Sequence, residues 1–473
     1  MSAIDLVSLR RAFEEHGVAF LQRFVALRSL SPAFDPTWER HGELERALEL
    51  AADAFSAREI PRLAITVSRI PGRSPALIVT VPGTSPGTAL LYGHLDKQPA
   101  QGPWHDDTDP FQLVREGDLL FGRGVVDDGY SVPVVVEAIR ALADDATPRP
   151  TVIALFEASE ESGSPDLEAH LDANAAQLGV PDLVVCLDAG GLDTRRLWRT
   201  TSLRGNLVVT VSVAVLDHGV HSGEAGGVVP ETFRILRALV DRIEDASDGS
   251  IRIPELQAPV PPAAREAARR LVGIVGDPFA AAYPLLPGVR LEGEDPADRL
   301  VRQSWATTLA LTGMDGVPSV PEGGNVLRPS LTAKLSLRLG PTVEAERALQ
   351  RLIEVLSADP PLGAQVRVTA EAPAQGWVSA PLPDWLETAL EEASQAAFGA
   401  APLEVGVGGS IPFLASLSRR FPTTPIVATG ALAPTSNAHG PDEHLVLTQA
   451  VGVTGAVAAM LAALAAEREG RSA

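Results

Sequence analysis

The chain runs to 473 residues, and its 60 acidic against 39 basic side chains give a formal net charge of −21. Hydrophobic residues make up 45% and charged residues 21%, the balance of a soluble globular protein, which excludes wholesale disorder and collagen-like repeats. A field this acidic repels phosphate backbones and anionic membrane surfaces, so neither nucleic acid nor a membrane is an expected partner.

The elements follow in chain order. Met1 to Ser31 mixes Arg10, Arg11, Glu14 and Glu15 with apolar residues at helical spacing. It lacks the basic-then-apolar layout of a secretory signal, and the expected location is cytoplasmic. Ala76 to Val81 and Ala89 to Tyr92 are short apolar runs bounded by Pro and Gly, which predicts buried strands. Ser131 to Leu142 reads as a helix, and Thr151 to Phe156 and Leu183 to Leu187 as two further buried strands. Such alternation predicts an α/β sheet covered on both faces.

The pattern changes near Leu203. Asn206 to Val215 and Leu331 to Leu339 alternate as half-buried strands do, Glu231 to Ile243 and Val343 to Leu356 have helical spacing, and Gln365 to Ala370 reads as a strand. This β-α-β-α-β series predicts a small split βαβ domain over 204–373, inserted into an α/β domain formed by 1–203 and 374–473. A Pro- and Ala-rich stretch, Ala258 to Ala282, is expected to be helix and loop. A helix follows from Leu382 to Phe398 and a strand from Pro425 to Thr429. Leu445 to Ala466 carries no charge and is long enough to span a bilayer, but its Ala, Gly and Thr content favours a helix packed on the sheet.

Cys186 is the only cysteine, which rules out an intramolecular disulfide and a Cys-rich zinc cluster. The nine histidines make their neighbourhoods informative. His94 closes the run Leu91-Tyr92-Gly93-His94-Leu95-Asp96 at a strand end, the edge where open α/β sheets place ligands. In extended backbone His94 and Asp96 project to the same side, so Asp96 can hold the second imidazole nitrogen, as in carboxylate–histidine–metal arrangements. Asp127 and Asp128 follow the Gly-rich turn Gly122-Arg123-Gly124. That turn lacks the third glycine of a dinucleotide loop, and the acidic pair would repel phosphate. Glu160 and Glu161 follow the strand ending at Phe156. One can bind a metal while the other faces a water, and two adjacent carboxylates need a cation or a proton. Asp188 ends a strand, and His439 lies in the loop Thr435 to Gly440. Each alone reads as a turn, cap or surface residue. Together, two imidazoles and three carboxylates make a normal ligand set for two divalent ions, which can activate a shared water and polarise a carbonyl.

These residues, with Tyr92-Gly93-His94-Leu95-Asp96-Lys97-Gln98-Pro99, Trp104, Pro110-Phe111, Leu203-Arg204-Gly205, His221-Ser222-Gly223, Gly408-Gly409-Ser410-Ile411-Pro412 and Ala438-His439, occur in order along nearly the whole chain. They resemble the di-zinc metallopeptidase family of carboxypeptidase G-type enzymes, aminoacylases and carnosinases, and most of all its cytosolic nonspecific dipeptidase and carnosinase branch. The resemblance implies a zinc-peptidase-like catalytic domain with a central mixed sheet and an inserted ferredoxin-like α+β lid, through which the chain forms a homodimer. It implies two divalent metals per chain, zinc or else manganese. One would be held by His94, Asp127 and Asp188, the other by Asp127, Glu161 and His439. Glu160 would be general base and Asp96 would steady His94. His221 would reach into the partner subunit's site to stabilise the oxyanion, and Asn325, Arg338, Gly409 and Ser410 would bind substrate, Arg338 at its carboxylate. An Asp at position 188 goes with aminopeptidases and dipeptidases in that family.

The chain departs from the branch at Gly129, where a Lys is common, at Val407, where a Glu is common, and near Ala372, where a His is expected. The implied activity is hydrolysis of a dipeptide or short peptide by a water between two metals. Deacylation of N-acyl or N-carbamoyl amino acids uses the same machinery. A non-catalytic metal-binding scaffold would need a missing ligand or base, and none is missing. A serine hydrolase built on Ser222 or Ser410 lacks the Gly-x-Ser-x-Gly elbow.

Overall fold

A computed structural model describes residues 5–280 and 282–472. The start of the N-terminal segment, Met1 to Ile4, and Ala281 of the Pro/Ala-rich stretch lie outside the described residues, as does Ala473.

Nine strands build the central sheet. Its order is Ala64–Ser68, Ala76–Val81, Thr151–Glu157, Thr88–His94, Leu183–Cys186, Ile426–Ala428, Trp198–Leu203 and Trp377–Val378, with Leu403–Val407 also pairing to Trp198–Leu203. Thr88–His94 runs parallel to both of its neighbours, so these strands all end on one edge. Register sets His94 opposite Glu157 and Tyr92 opposite Cys186. Their Val, Leu and Ile runs suit strands buried on both faces. Against one face pack Ser131–Asp144, Asp384–Phe398 and Leu447–Ser472, together with the N-terminal helices; against the other pack Leu167, Leu171, Phe413 and Leu417. The terminal helix is long and apolar enough to cross a bilayer, but its apolar stretch is 94% buried inside the molecule. Its Ala and Gly positions let neighbours come close: a Cβ on Gly452 would sit 2.2 Å from the Phe398 ring.

The second sheet is antiparallel, in the order Thr308–Asp315, Ser330–Leu339, Gly205–Ala214, Gln365–Ala370. Gly205–Ala214 alternates buried and half-buried residues along its whole length, and its inner face packs on the amphipathic helices Thr232–Val240 and Ala345–Ser357. The series is therefore β-α-β-β-α-β. The strand Thr308–Asp315 was not expected, because Leu311 and its neighbours are exposed at the sheet edge and leave no alternating pattern. Pro262–Val275 and Pro296–Trp305 form a helical pair beside Trp198 and Val405.

The chain passes between the sheets twice. Only Arg204 separates Trp198–Leu203 from Gly205–Ala214. The return passes through residues 371–376, and Asn206 and Ala374 exchange both backbone hydrogen bonds at 2.9 Å. The two crossings thus lie side by side.

The loop beyond Cys186 packs equally closely on the segment leading to His439. Gly190 bridges Leu432, and a Cβ on Gly190 would lie 1.9 Å from the Leu432 carbonyl oxygen. Gly190→Ala should therefore force these backbones apart and cost about 1–3 kcal/mol, as overpacking does. Urea denaturation is the check: an unchanged midpoint would mean that the loops separate freely.

Candidate active site and metal centre

Tertiary structure gathers the sheet-edge residues into two donor groups. The ligand atoms of His94, Asp127 and Asp188 lie within 4.8 Å of one another, and so do those of Asp127, Glu161 and His439. Asp127 belongs to both. Its Oδ1 lies 3.0 Å from His94 Nε2 and its Oδ2 lies 2.9 Å from His439 Nε2. Glu161 Oε2 is 3.3 Å from the same His439 nitrogen. Two imidazole nitrogens and carboxylate oxygens converging in this way match the donor preference of zinc, and manganese accepts them as well.

Several of these groups are held from behind. The buried Asp96 carboxylate accepts the backbone N–H groups of Glu160 and Glu161 at 3.1 and 3.0 Å. It also lies 3.5 Å from His94 Nδ1. One carboxylate thus orients both the imidazole and the Glu160–Ser162 turn. Beneath them, buried Glu157 accepts hydrogen bonds from Tyr92, Ser164 and Ser159. Tyr130 donates to the Leu187 carbonyl and accepts from the Ala431 N–H at 2.9 Å, tying the strand end before Asp188 to the segment before His439. Gln98 donates to Glu161 Oε2 at 2.7 Å.

Crowding sets the electrostatics. Burial and Asp127 hold the Asp188 carboxyl well above the usual carboxylate range; burial and Asp188 do the same for Glu160. Asp128, buried beside Asp127, is pushed up to about 8. Burial disfavours charge on His94, but Asp127 and Asp96 more than reverse this and leave it well above its ordinary value. For His439 the same balance, against Asp127 and Glu161, ends at about 10. Asp127, paired with both imidazoles, stays below the usual range despite its burial. A cluster of this kind favours positive charge, on the imidazoles or on a bound cation, over further negative charge.

Asp127, Glu160, Glu161, Asp188 and His439 line one cavity of about 830 Å³, together with Arg338, Gly409 and Ser410. Arg338 Nη1 donates to Ser410 Oγ at 3.0 Å, and Ser410 Oγ donates to the Arg204 carbonyl at 2.6 Å. Among the described residues no carboxylate pairs with Arg338. The cavity wall therefore combines several carboxylates with a guanidinium that has no carboxylate partner among the described residues. Ala372 and Val407 also line it, so two departures from the resembled branch fall on its walls. The third is steric: a Cβ on Gly129 would lie 2.4 Å from the Phe24 ring, which leaves no room for a lysine.

His221 and Asn325 are not brought to this cavity. His221 instead pairs with Val326 in the two-stranded ribbon of Val220–His221 with Val326–Leu327, Asn325 is the residue just before that ribbon, and Ser222 N–H donates to the Asn325 carbonyl at 2.9 Å. The ribbon is held by its own pairing, and the chain's own cavity lacks both side chains.

Glu443 carries no signal in the sequence, being one acidic residue in a polar loop. The fold buries it completely beneath the Gly122–Asp127 turn, against Arg123. The glycines flanking Arg123 are the only local hint of close packing there. Burial pushes the Glu443 carboxyl up to about 7 although Arg123 opposes it.

The sheet edge, the split donor set and the cavity belong to the class of metal-dependent peptidases. Residues 90–467 match the model described as Peptidase family M20/M25/M40, and the chain belongs to that family. It is 30% identical over 369 residues to the cysteinylglycine-S-conjugate dipeptidase of Corynebacterium striatum, which covers 76% of this chain and 77% of that one. It is 27% identical over 416 residues to the human Beta-Ala-His dipeptidase, covering 84% and 80%. Among solved structures, human carnosine dipeptidase 1 superposes with a TM-score of 0.78 at 23% identity, over 98% of this chain and 99% of that one. The Saccharomyces cerevisiae dipeptidase Dug1p gives 0.76 at 22%, over the same shares.

Divalent cations bind neutral imidazole, so binding must displace the protons that the metal-free histidines hold. Zinc added near pH 7 should release protons, and the release should fade as pH rises past about 10, where His439 is already neutral. Titration calorimetry in two buffers of different ionisation enthalpy measures this; identical heats would refute proton sharing. His439 is raised above its ordinary 6.5 in the fold. Its contribution to metal-free stability is therefore complete below about pH 6.5 and lost by about pH 10.

Proposed function

We propose that this protein is a cytoplasmic metallo-dipeptidase, acting as a homodimer, that hydrolyses the peptide bond of dipeptides or short peptides with two divalent cations per chain. The observation that carries the reading is Asp127, whose two oxygens face two histidines at 3.0 and 2.9 Å in a cavity that also holds Glu160 and Arg338. The relatives named as dipeptidases support the substrate class. His94, Asp127 and Asp188 hold one cation, and Asp127, Glu161 and His439 hold the other, zinc in preference to manganese. When bound, the cations acidify a water and polarise the scissile carbonyl.

The chain's own residues do the rest. Glu160 lines the cavity beside both donor groups without belonging to either. It takes the proton of the attacking water and returns it to the leaving amine. Asp96 keeps His94 and the Glu160 turn in register. Arg338 receives the substrate's terminal carboxylate, bidentately where geometry allows, with Ser410 and Gly409 beside it. Residues 1–203 and 374–473 form the catalytic unit, and 204–373 form the lid and dimer surface. The ribbon bearing His221 and Asn325 is exposed and points the reading towards a partner: these two side chains complete the site of a second copy, where His221 stabilises the developing oxyanion.

Glu160→Gln should lower turnover by about 10²–10⁴-fold while the bound metal stays unchanged by elemental analysis. Near-normal rates would remove Glu160 as base. A panel of free dipeptides, N-acetyl amino acids and tripeptides, assayed with zinc and with manganese after chelation, tests the substrate. Preference for blocked amines would replace the dipeptidase with a deacylase. Mixing His221→Ala with Glu160→Gln subunits should restore part of the activity; no rescue after verified subunit exchange would exclude a shared site.

A further inference from the structure

We propose that the buried Arg123–Glu443 pair is the positioning device that fixes the separation of Asp127 from His439, and so tunes how tightly the second donor group holds a cation. The inference rests on the ligand assignment proposed above and goes beyond it, because neither Arg123 nor Glu443 belongs to either donor group.

The geometry is a double tether. Glu443 Oε1 accepts the backbone N–H groups of Val126 and Asp127 at 3.1 and 3.3 Å. Its Oε2 accepts the Gly124 N–H at 3.0 Å and Arg123 Nη1 at 2.5 Å. One carboxylate therefore gathers the turn that delivers Asp127. The Glu443 carbonyl binds the same turn from its other end, accepting Gly122 N–H at 2.9 Å. Arg123 then reaches across with Nη2 to the carbonyl of Gly440, the residue after His439, at 2.6 Å. The guanidinium fork thus joins the carboxylate that shapes the Asp127 turn to the loop that presents His439.

The pair is 1% and 0% exposed, so solvent does not loosen it, and both Nη atoms of Arg123 are engaged. Such packing matters because His439 is otherwise weakly held: its side chain is 55% exposed and its backbone lies at φ +65°. A bidentate guanidinium can serve both acceptors at once; an ammonium, a single point charge, does not reproduce that fork. The two residues should act differently. Loss of the Gly440 tether disturbs only the His439 side. Loss of the Glu443 carboxylate disturbs Asp127, which both groups share.

The test is zinc stoichiometry and affinity by chelator competition on the full-length protein, with the melting temperature of the metal-free form measured alongside. Arg123→Lys should keep one zinc at native affinity and weaken the second by about 10–100-fold, the usual effect of changing the groups behind a metal ligand. Glu443→Gln should weaken both, and Glu443→Asp should recover part of the loss. His439→Ala is the control and should lose one zinc. If it loses one while Arg123→Lys binds two at native affinity, the tether is overturned and the ligand assignment stands. If His439→Ala retains two, the ligand assignment fails and the inference with it. Should Arg123→Lys fail to fold, the Glu443→Gln and Glu443→Asp pair decides alone: native affinities in the folded protein, with only the metal-free melting temperature lowered, would mean mere structural support and overturn the proposal.

Discussion

Everything at the sheet edge depends on one electrostatic constraint: several carboxylates, most of them buried, and two imidazoles crowd together. Asp96, Asp127, Asp128 and Asp188 are each nine-tenths or more buried, and Glu160 and Glu161 stand beside them. Like charges this close are tolerated only when protons or cations stand between them. The crowding shows in the shifts it causes: burial and neighbouring carboxylates hold Asp188, Glu160 and Asp128 above the usual carboxylate range, and nearby carboxylates raise His94 and His439. A divalent cation at either donor group would meet the same constraint with its own charge.

Holding such a cluster requires a frame that cannot relax. Three parallel strands fix the spacing of the segments that carry His94, Glu160, Glu161 and Asp188. Backbone N–H groups then fix the carboxylates: Asp96 takes two from the Glu160 turn, and Glu443 takes three from the Asp127 turn. Close glycine contacts, such as Gly190 on Leu432 and Gly93 against Ser131, bring these loops nearer than larger residues permit. Cavity, charge and rigid edge are therefore one construction, to which the second sheet adds Arg338.

Much of this was legible in the residues. The buried strands announced themselves through uniform Val, Ile and Leu runs. Ala76–Val81 and Gln365–Ala370 have the predicted ends, and most others differ by one to three residues. Strands with mixed faces did not. Ala64–Ser68 is exposed at its start and buried only at Ser68, Trp198–Leu203 carries Arg199, Thr200, Thr201 and Ser202, and Thr308–Asp315 is an edge strand. Their pairing comes from neighbours, not from a hydrophobic period. Likewise the donors His94, Asp127, Glu161, Asp188 and His439 stood out by residue type and by their place at strand ends and turns. Asp96 could be placed beside His94 because extended backbone alternates its side chains.

By itself, then, the sequence determined which side chains can carry the chemistry and which runs must be buried, since these follow from local properties: residue type, hydrophobic period and turn chemistry. Only tertiary structure decided which of them meet. Asp127 and His439 are brought to 2.9 Å by strand pairing and by a buried ion pair spanning 320 positions, and no local rule encodes such a separation. The same is true of His221 and Asn325, which lie together at the small ribbon and do not line the cavity, and of Glu443, an unremarked acid until the fold closes over it. Long-range proximity is set by packing that many residues share, so no single segment of the chain records it.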